Sequence, residues 1–463
     1  MKYVFLILFL YVNSNCVTQI SFQNLYGGTD YDFGHSVEQT SDGGYIVFGQ
    51  SSSFSSSQDL YLLKLDAYGM EEWSHTYGTS NTEFGISVKQ TMDGGYILCG
   101  GWNAGINLSD SLVLLKTNSM GMEEWTHTFS GSIDRDGGQS VIETSDGGYA
   151  ACGYTSSFPN EDVFVVKTNS AGIEQWSKIF SGPAHEISRT IRQTSDDGFF
   201  VFGSTNSYGA GERDYYLLRL DSAGDSLWTK TYGTVNDEEG TSMHINSDGS
   251  IALIGYEYFN GGNIYAIKAD GDGNVIWDEY YGGTGRDIGY SIKQTSDNGF
   301  VLSGRKDNTN SSGTYDMYCI KTDQNGIVDW EFSYPLGLMS DAACVQQTSD
   351  GGYVMTGSSL GSDTDVVLLK IPGNGILNIT ESNVNIDVSI YPNPFVDYTD
   401  ITLNNNNDPV DIVIYNMDGK VLYREFNISS TIRIEGSVLQ KGLNFFRIED
   451  NGEEIVSGKI VMQ

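Results

Sequence analysis

The sequence has few basic residues. Its 463 residues contain 25 Lys and Arg against 60 Asp and Glu, which gives a formal net charge of −35. A protein that binds nucleic acid or an anionic membrane surface through charge needs basic patches, so this balance argues against both kinds of partner. It leaves cations and neutral or basic molecules as partners.

Proline and cysteine are also scarce. Seven Pro against 56 Gly are typical of many short strands joined by tight turns. Cys99 and Cys152 occupy a repeated position at which other copies of the repeat have Phe. We therefore interpret the cysteines beyond the N-terminal segment as small core side chains, and not as a disulfide framework or a metal cluster. They are Cys99, Cys152, Cys319 and Cys344.

The one long apolar run lies at the N terminus. Lys2, the apolar stretch Tyr3–Val12 and the small or polar residues after it predict a signal peptide over residues 1–18. The run is too short to cross a bilayer as a helix, and no transmembrane span is expected in the mature chain. Cys16 is an alternative lipidation site, although Asn15 before it departs from the usual motif.

What the chain does have is a repeat built around Gln39–Tyr45 (QTSDGGY), which recurs every 49 to 53 residues. Asp-Gly between two apolar runs predicts a hairpin, because a tight primed turn needs residues that tolerate positive φ. The fourth residue of every copy is acidic. The residues that match Thr40, here called the Thr register, are Thr40, Thr91, Thr144, Thr194, Asn246, Thr295 and Thr348.

Each repeat is predicted to contain four short strands, called a to d. In the first copy they cover Ser36–Thr40, Tyr45–Gly49, Leu60–Asp66 and Glu72–Tyr77. Strand c always carries a base, which is expected to form an ion pair with a turn acid, as in Asp42 with Lys64 or with the equivalent base of the next repeat. Strand d carries a Trp that should pack between neighbouring repeats. The Trp residues are Trp73, Trp125, Trp176, Trp228, Trp277 and Trp330.

Seven copies of strands a to c require seven d strands, but there are only six Trp in the d series. Phe22 stands four residues before Tyr26, in the register of the Trp, and supplies the missing strand, while the repeats end near Ile371. Pairing these two open edges closes a ring. The sequence therefore predicts an all-β fold, a seven-bladed β-propeller over residues 19–371 that is closed by the N-terminal strand. The pattern of its repeats resembles kelch-like and other propeller repeats of secreted bacterial proteins. This resemblance implies the fold and no activity.

Residues 372–382 are expected to form a linker, and residues 383–463 a separate small β-sandwich. Four segments, Tyr391–Phe395, Ile412–Lys420, Lys441–Ile448 and the terminal Lys459–Val461, resemble a type A C-terminal sorting domain of the type IX secretion system. The resemblance implies the secretion machinery as a partner and a secreted protein or one displayed on the outer-membrane surface. An ordinary cell-wall or sugar-binding sandwich is the alternative. The motif residues are Tyr391, Pro392, Asn393, Pro394, Gly419, Lys420 and Gly442.

The loops between strands d and a and between b and c vary in length and composition, which marks their face as the binding face. An acid recurs eight residues before the Thr register, and at the mouth of a central channel such a ring would contact a ligand or collect Ca²⁺. On the structural interpretation, each acid instead accepts hydrogen bonds from the loop backbone and a nearby Ser or Thr. The acids are Asp32, Glu83, Asp136, Glu186, Glu238 and Asp287.

Aromatic side chains in the b–c loops could stack on sugars or contact a protein partner, although single loop aromatics are also common anchors of a loop. Trp102 is the candidate binding residue among them. The other aromatic residues in equivalent loops are Phe54, Phe158, Tyr208, Tyr258 and Phe259.

No catalytic motif is found among the five His. His75 and His127 share a repeat position that two other copies fill with Lys, as an exposed strand position would, and the other three lie near no Ser or Cys nucleophile motif. No cofactor is predicted apart from Ca²⁺, and the metal site is unknown. The leading hypothesis is a non-catalytic surface module that binds carbohydrate or protein, or mediates adhesion. The alternatives are a glycan-active enzyme that uses the channel-mouth carboxylates, a quinone-cofactor dehydrogenase suggested by Asp66-x-x-Gly69, and a purely structural surface or matrix component.

Overall fold

The structure is a computed structural model in which the chain forms two compact units that divide between Leu377 and Asn378. The predicted signal peptide and part of the predicted linker lie outside the described residues. In the described residues, no helix has the length and apolar character needed to cross a bilayer. The described residues are 21–102, 110–132, 134–157, 160–258, 262–283, 285–307, 313–337, 339–360, 364–376, 387–404, 409–416, 420–450 and 453–462.

The N-terminal unit is built from short strands, which fall into the four predicted classes. Strand a is β2 (Asp32–Gln39), β6 (Glu83–Gln90), β10 (Arg135–Glu143), β14 (Glu186–Gln193), β18 (Glu238–Ile245), β22 (Ile288–Gln294) and β26 (Met339–Gln347). Strand b is β3 (Tyr45–Ser51), β7 (Tyr96–Trp102), β11 (Tyr149–Ser157), β15 (Phe199–Thr205), β19 (Ile251–Glu257), β23 (Phe300–Asp307) and β27 (Tyr353–Leu360). Strand c is β4 (Asp59–Leu65), β8 (Ser111–Thr117), β12 (Asn160–Thr168), β16 (Asp214–Leu220), β20 (Asn263–Ala269), β24 (Tyr315–Thr322) and β28 (Thr364–Ile371). Strand d is β1 (Phe22–Tyr26), β5 (Glu71–Tyr77), β9 (Glu123–Phe129), β13 (Glu174–Phe180), β17 (Ser226–Tyr232), β21 (Val275–Tyr281) and β25 (Val328–Tyr334).

Strands a to d of one repeat pair in that order into a four-stranded antiparallel sheet. We number these sheets as repeat units in chain order, so that β2–β5 form unit 1 and β22–β25 form unit 6. Unit 7 consists of β26–β28 and the N-terminal strand β1. Strand β1 pairs with β28, so that Phe22 lies opposite Lys370. One parallel bridge, from Tyr315 to Met339, joins units 6 and 7. This series of four-stranded sheets is the architecture of a β-propeller.

The units cover one another because their middle strands are apolar on both faces. Every residue of β4 is buried, which a sheet exposed on one side would not allow. One core cluster joins Phe48 and Leu62 of unit 1 to Tyr96 of unit 2. Another joins Tyr45 of unit 1 to Val366 of unit 7. The core therefore lies between the units as a series of layers.

The aromatic residue of strand d packs against the first residue of strand b in the next unit, as predicted. The rings of Trp73 and Tyr96 lie 6.0 Å apart, and the rings of Phe22 and Tyr45 lie 5.9 Å apart. The step from unit 4 to unit 5 differs, because β19 begins with an isoleucine and Trp228 packs against a Phe of its own unit. The other pairs are Trp125–Tyr149, Trp176–Phe199, Trp277–Phe300 and Trp330–Tyr353.

The repeated turn is not the primed turn that the sequence suggested. Gly43 has φ +86°, and it is the one residue of its turn with positive φ, whereas a type I′ turn needs two. Its N–H donates to the Thr40 carbonyl at 2.9 Å, and the Thr40 N–H donates to the Gly44 carbonyl at 2.9 Å. The Asp42 carboxylate accepts hydrogen bonds from the Thr40 hydroxyl at 2.5 Å and the Gly44 N–H at 2.9 Å. The turn is therefore a three-residue loop that the acid holds together.

The predicted ion pairs between the turn acid and the strand-c base are confirmed. In unit 1 the Lys64 ammonium lies 3.0 Å from the Asp42 carboxylate, and it also donates to the Leu65 carbonyl at 3.1 Å. The buried cation thus has a carboxylate and a backbone partner, which offsets the cost of its desolvation. The corresponding pairs are Lys116–Asp93, Lys167–Asp146, Arg219–Asp196, Lys268–Asp248, Lys321–Asp297 and Lys370–Asp350.

A hydrogen bond between units was missed in the sequence, although its acceptor belongs to the repeated motif. The side chain just before the Thr register accepts a hydrogen bond from the turn of the preceding unit. Ser41 N–H donates to the Gln90 side chain at 2.8 Å, and Ser349 N–H of unit 7 donates to Gln39 of unit 1 at 2.8 Å. At the step from unit 4 to unit 5, Ile245 occupies the acceptor position. The other pairs are Met92–Glu143, Ser145–Gln193, Ser247–Gln294 and Ser296–Gln347.

We expect Gln90→Ala to lower the free energy of unfolding by about 0.5–1.5 kcal/mol, because it removes one hydrogen bond between units 1 and 2. The matched control is Gln90→Glu, since Glu143 accepts the equivalent bond in unit 3. Urea unfolding measures both variants. Equal losses in the two variants would show that the hydrogen bond itself contributes nothing.

The C-terminal unit contains two sheets around one core. One sheet is β29–β30–β33 and the other is β32–β31–β34–β35. Side chains of both sheets, among them Ile401 and Ile412, share a single cluster, as a small sandwich requires. A short 3₁₀ helix covers Gly436–Val438. The strands are β29 (Asp387–Tyr391), β30 (Tyr398–Asn404), β31 (Val410–Tyr415), β32 (Val421–Ile428), β33 (Thr431–Glu435), β34 (Gly442–Asp450) and β35 (Glu453–Met462).

Candidate functional site

The six predicted binding acids lie at or near the start of strand a, and each has an exposed fraction of 0%. The Glu83 carboxylate accepts a hydrogen bond from the Thr79 hydroxyl at 2.8 Å, and the Asp32 carboxylate accepts one from the Gly28 N–H at 2.8 Å. Hydrogen bonds of this kind, from the loop backbone and a nearby Thr, are those that the structural interpretation of the acids predicted. The remaining bonds, given as acid and donor, are Asp136–Gly131, Glu186–Thr205, Glu238–Thr234 and Asp287–Gly283.

The cavity enclosed by the a strands is lined by residues five, four and two positions before the Thr register. The six acids, eight positions before it, are not part of that lining. A direct contact between these carboxylates and a ligand stays a prediction, and in this conformation the loops cover them. The described residues contain no group of three or more His, Cys, Asp or Glu side chains placed to hold a metal ion.

Some of these acids lie beside a second carboxyl group. Burial raises the pKa of Glu83, the Thr79 hydrogen bonds oppose that rise, and the neighbouring Asp59 of unit 1 adds to it. Burial likewise raises the pKa of Glu238, with Asp214 of unit 4 contributing. A raised pKa means that these carboxyls stabilise the fold most when they are protonated, and that this stability is lost as the pH rises through the folded-state pKa.

We expect Glu83→Gln to be as stable as the wild type at pH 4, below the ordinary pKa of a glutamate, and more stable at pH 8. The amide keeps an acceptor for Thr79 and removes the like-charge repulsion with Asp59. Glu83→Ala should lose about 1–3 kcal/mol at both values, because it leaves buried groups without partners. Urea unfolding at the two pH values tests this. A lower stability of Glu83→Gln at pH 8 would contradict the assignment of a raised pKa.

Trp102 is the last residue of β7, and so it does not lie in the b–c loop where we placed it. Its ring is half-buried and packs against the core between units 1 and 2. It lies opposite Glu83 in the sheet. A part in ligand binding stays a prediction for this residue.

A pocket of about 320 Å³ opens on the face of the variable loops, between units 4 and 5. It is lined by five residues from three loops, which flank β16, β18 and β19. The Asn206 amide donates to the Glu212 carbonyl at 2.7 Å, and the Tyr258 N–H donates to the Asp237 carbonyl at 2.9 Å. These bonds fix the loops that form the wall. The lining residues are Asn206, Glu212, Arg213, Asp237 and Tyr258.

Arginine and carboxylate groups support this pocket. The Arg213 guanidinium lies 2.6 Å from the Glu239 carboxylate, and Arg189 binds the same carboxylate at 2.9 Å. Burial acts to raise the pKa of Glu239, but the two arginines outweigh it, and the pKa lies below its usual value. Tyr258 is 41% exposed, and Arg286 lies 4.9 Å from the centre of its ring. The pocket therefore combines an exposed ring with ionised polar groups.

The pocket lies at the step where the repeat departs from its own pattern. Ile245 replaces the glutamine-type acceptor and Ile251 replaces the aromatic residue at the start of strand b. At this step the Tyr215 hydroxyl donates to the Tyr265 carbonyl at 2.8 Å. Of the lining residues, only Tyr258 was noted in the sequence. In the sequence, the two isoleucines at these repeat positions were the features that could have indicated the pocket.

The predicted sorting motif is spread over the C-terminal sandwich. Tyr391 ends β29 and is 81% exposed. The next residues connect two elements, because the Pro392 carbonyl accepts from the Thr399 hydroxyl at 2.6 Å and the Asn393 side chain accepts from Val461 N–H at 2.8 Å.

The other motif residues lie at turns or strand ends. Pro394 follows a cis peptide bond, and Lys420 N–H donates to the Asn416 side chain at 2.9 Å. Gly442, with φ +98°, begins β34. Gly419 lies outside the described residues.

A family model described as "Secretion system C-terminal sorting domain" matches residues 389–463. This stretch is therefore a sorting domain, as the motif predicted. The chain is an exported protein of the type IX route, secreted or displayed at the cell surface, and the secretion machinery is its partner.

A comparison with curated proteins finds no matching sequence. Among solved structures, YCF48 bound to a D1 peptide is 13% identical, with 76% of this chain and 94% of that chain covered and a TM-score of 0.47. An α-L-arabinanase of Penicillium chrysogenum complexed with arabinobiose is 9% identical, with 63% and 93% covered and a TM-score of 0.44. PorZ of Porphyromonas gingivalis, a surface component of the type IX secretion system, is 8% identical, with 98% and 88% covered and a TM-score of 0.29.

Proposed function

We propose that the N-terminal unit is a seven-bladed propeller that binds carbohydrate without catalysis at the cell surface. The observation that carries the proposal is the pocket between units 4 and 5. A sugar ring presents apolar C–H faces and a rim of hydroxyl groups, so its site combines an aromatic ring with planar polar groups. Tyr258 supplies the ring, and Asn206, Arg213 and Asp237 supply the polar groups.

Three contacts support closure of the ring by the N-terminal strand. Strand β1 pairs with β28 along its whole length. Unit 7 donates a hydrogen bond to Gln39 of unit 1. The Tyr26 hydroxyl of β1 donates to the Gly69 carbonyl of unit 1 at 2.6 Å. The N-terminal strand is thereby the outer strand of the seventh blade and contacts the first.

A mature chain that lacks residues 21–28 should unfold at a lower temperature and self-associate, because the edge of β28 loses its partner strand. The matched control is the mature chain with that segment intact. Differential scanning calorimetry and light scattering measure the two effects, and electron-microscopy averages of the control should show seven sectors. Six or eight sectors, or a monomeric truncated chain with unchanged stability, would rule out this closure.

A non-catalytic role is favoured by how the carboxyl groups are placed. Glycoside hydrolysis needs two carboxyls across the scissile bond, one of them kept protonated in a site that excludes water. The six buried acids bind their own loops, and Glu212 in the pocket is exposed. A hydrolase is the second candidate, since Glu212 and Asp237 both line the pocket.

Tyr258→Ala should weaken glycan binding at least 10-fold, which corresponds to about 1.4 kcal/mol of lost contact with the sugar face. The mature chain is first tested on a glycan array, and the best ligand is then titrated by calorimetry. Tyr68→Ala is the matched control, because Tyr68 is also an exposed tyrosine, at 65%, and lies in a c–d turn. Wild-type glycan affinity in Tyr258→Ala would rule out this pocket as the binding site. If the mature chain instead releases a hydrolysis product from the glycan, and Glu212→Gln or Asp237→Asn abolishes that release, the protein is a hydrolase.

A further inference from the structure

The a strands enclose a cavity of about 150 Å³. Because successive copies are aligned, residues at one position of the repeat form one layer around the cavity, and only some members of a layer line it. The layer two residues before the Thr register is unusual in composition, since it differs in almost every copy. Its members are Glu38, Lys89, Ile142, Arg192, His244, Lys293 and Gln346.

The charges that line this cavity are all positive. Four cations contribute to the wall, and no carboxylate does. This is the reverse of the whole chain, in which 60 acids face 25 bases. Two of the cations have acidic partners beside the cavity, because Lys89 pairs with Glu38 at 2.8 Å and Arg189 pairs with Glu239. The four cations are Lys89, Arg189, Arg192 and Lys293.

The other two cations lack a carboxylate partner. Among the described residues, none accepts a hydrogen bond from the Lys293 ammonium, and Arg192 donates to the Ile191 carbonyl at 2.8 Å but to no acid. Burial lowers the pKa of Lys293 to about 7, and repulsion by Arg192 and Lys89 contributes, while Cys344 and Glu38 act in the opposite direction. His244, lowered to a pKa of about 3 by burial and the same cations, adds no charge near neutral pH.

A purely structural role does not account for these two residues. Wherever this chain buries a base for its fold, in strand c, a turn Asp lies beside it. An unpaired cation in a confined space opposes folding, because part of its hydration is lost and no carboxylate replaces it. A site that keeps such charges gains from a ligand that neutralises them.

We infer that the cavity binds a compact oxyanion, such as phosphate or sulfate, either as a free ion or as the substituent of a larger molecule. The Arg192 guanidinium offers a planar fork of donors and the Lys293 ammonium three more, which suits an anion with several acceptor oxygens. The cavity has room for such a group. The inference does not depend on the carbohydrate pocket, whose residues line a different cavity.

The first test is the effect of anions on the melting temperature of the mature chain. Sodium sulfate and sodium phosphate are each compared with sodium chloride at equal ionic strength. We expect either oxyanion to raise the melting temperature with saturation, because a ligand of the folded state stabilises it. Equal effects of all three salts would overturn the inference.

Lys293→Met should weaken oxyanion binding at least 10-fold and, in chloride, should melt at a higher temperature than the wild type. A merely structural lysine would lower stability when it is removed. Gln346→Glu is the second variant, because it keeps an acceptor for the Gln39 N–H and adds one negative charge to the same layer. It should also abolish the oxyanion effect. The control is Lys178→Met, a surface cation paired with Asp225. Wild-type binding in both cavity variants would overturn the assignment.

The affinity for sulfate, whose own charge does not change over this range, should fall as the pH rises from 6 to 9, because Lys293 loses its proton with a pKa of about 7 and the anion loses a partner. The charged or titratable groups around Lys293 are Arg192, Lys89, Glu38, Cys344 and His244, and the same cavity is lined by His35, Arg189 and Tyr290. Lys293→Met should lack this pH dependence, and an unchanged pH profile in that variant would contradict the role of Lys293.

A sulfated monosaccharide and its unsulfated parent then show whether the oxyanion is a free ion or the substituent of a sugar. Tighter binding of the sulfated sugar than of free sulfate indicates a sugar-borne anion, and equal binding a free ion.

Discussion

The constraint on which this fold depends is that no repeat unit can bury its own faces. Strands b and c are apolar on both sides, so each sheet needs a neighbour on either side. The contacts between units follow from this need: the layered cores, the ring of one strand d against the next strand b, and the hydrogen bond from one turn to the next glutamine. The same three kinds of contact connect unit 7 to unit 1. In the proposed ring no unit keeps an uncovered face.

The chain places cations inside the protein in two different ways. The strand-c bases are buried, and each has an aspartate of its own turn, so their charge is balanced within the unit that carries it. The cations around the central cavity come from different units, and Lys293 and Arg192 have no carboxylate of their own. The first arrangement serves folding. The second costs stability, and natural proteins keep such costs mainly where they serve function.

Function is expected where the repeat is broken, and the step from unit 4 to unit 5 is such a place. A repeated contact is needed at each step for the scaffold, so its loss at one step must be compensated there. The tyrosine pair of units 4 and 5 provides part of that compensation. The loops above the same step diverge as well, and they form the pocket that holds Tyr258 and Arg213. Rigid neighbouring units thus support a variable surface.

The sequence by itself determined whatever depends on local or periodic pattern. The repeat, the pairing of Asp42 with Lys64, the packing of the Trp series and the sorting domain could all be identified, because each involves residues close together or at a constant spacing. Turn type and acid burial could not, because the backbone around Gly43 depends on which hydrogen bonds the Asp42 carboxylate accepts, and the burial of Glu83 depends on the loops that pack over it. The tertiary structure alone decided the charge of the central cavity. Residues 49 to 53 positions apart meet there in one layer, and a layer selected in this way can be positive inside an acidic protein.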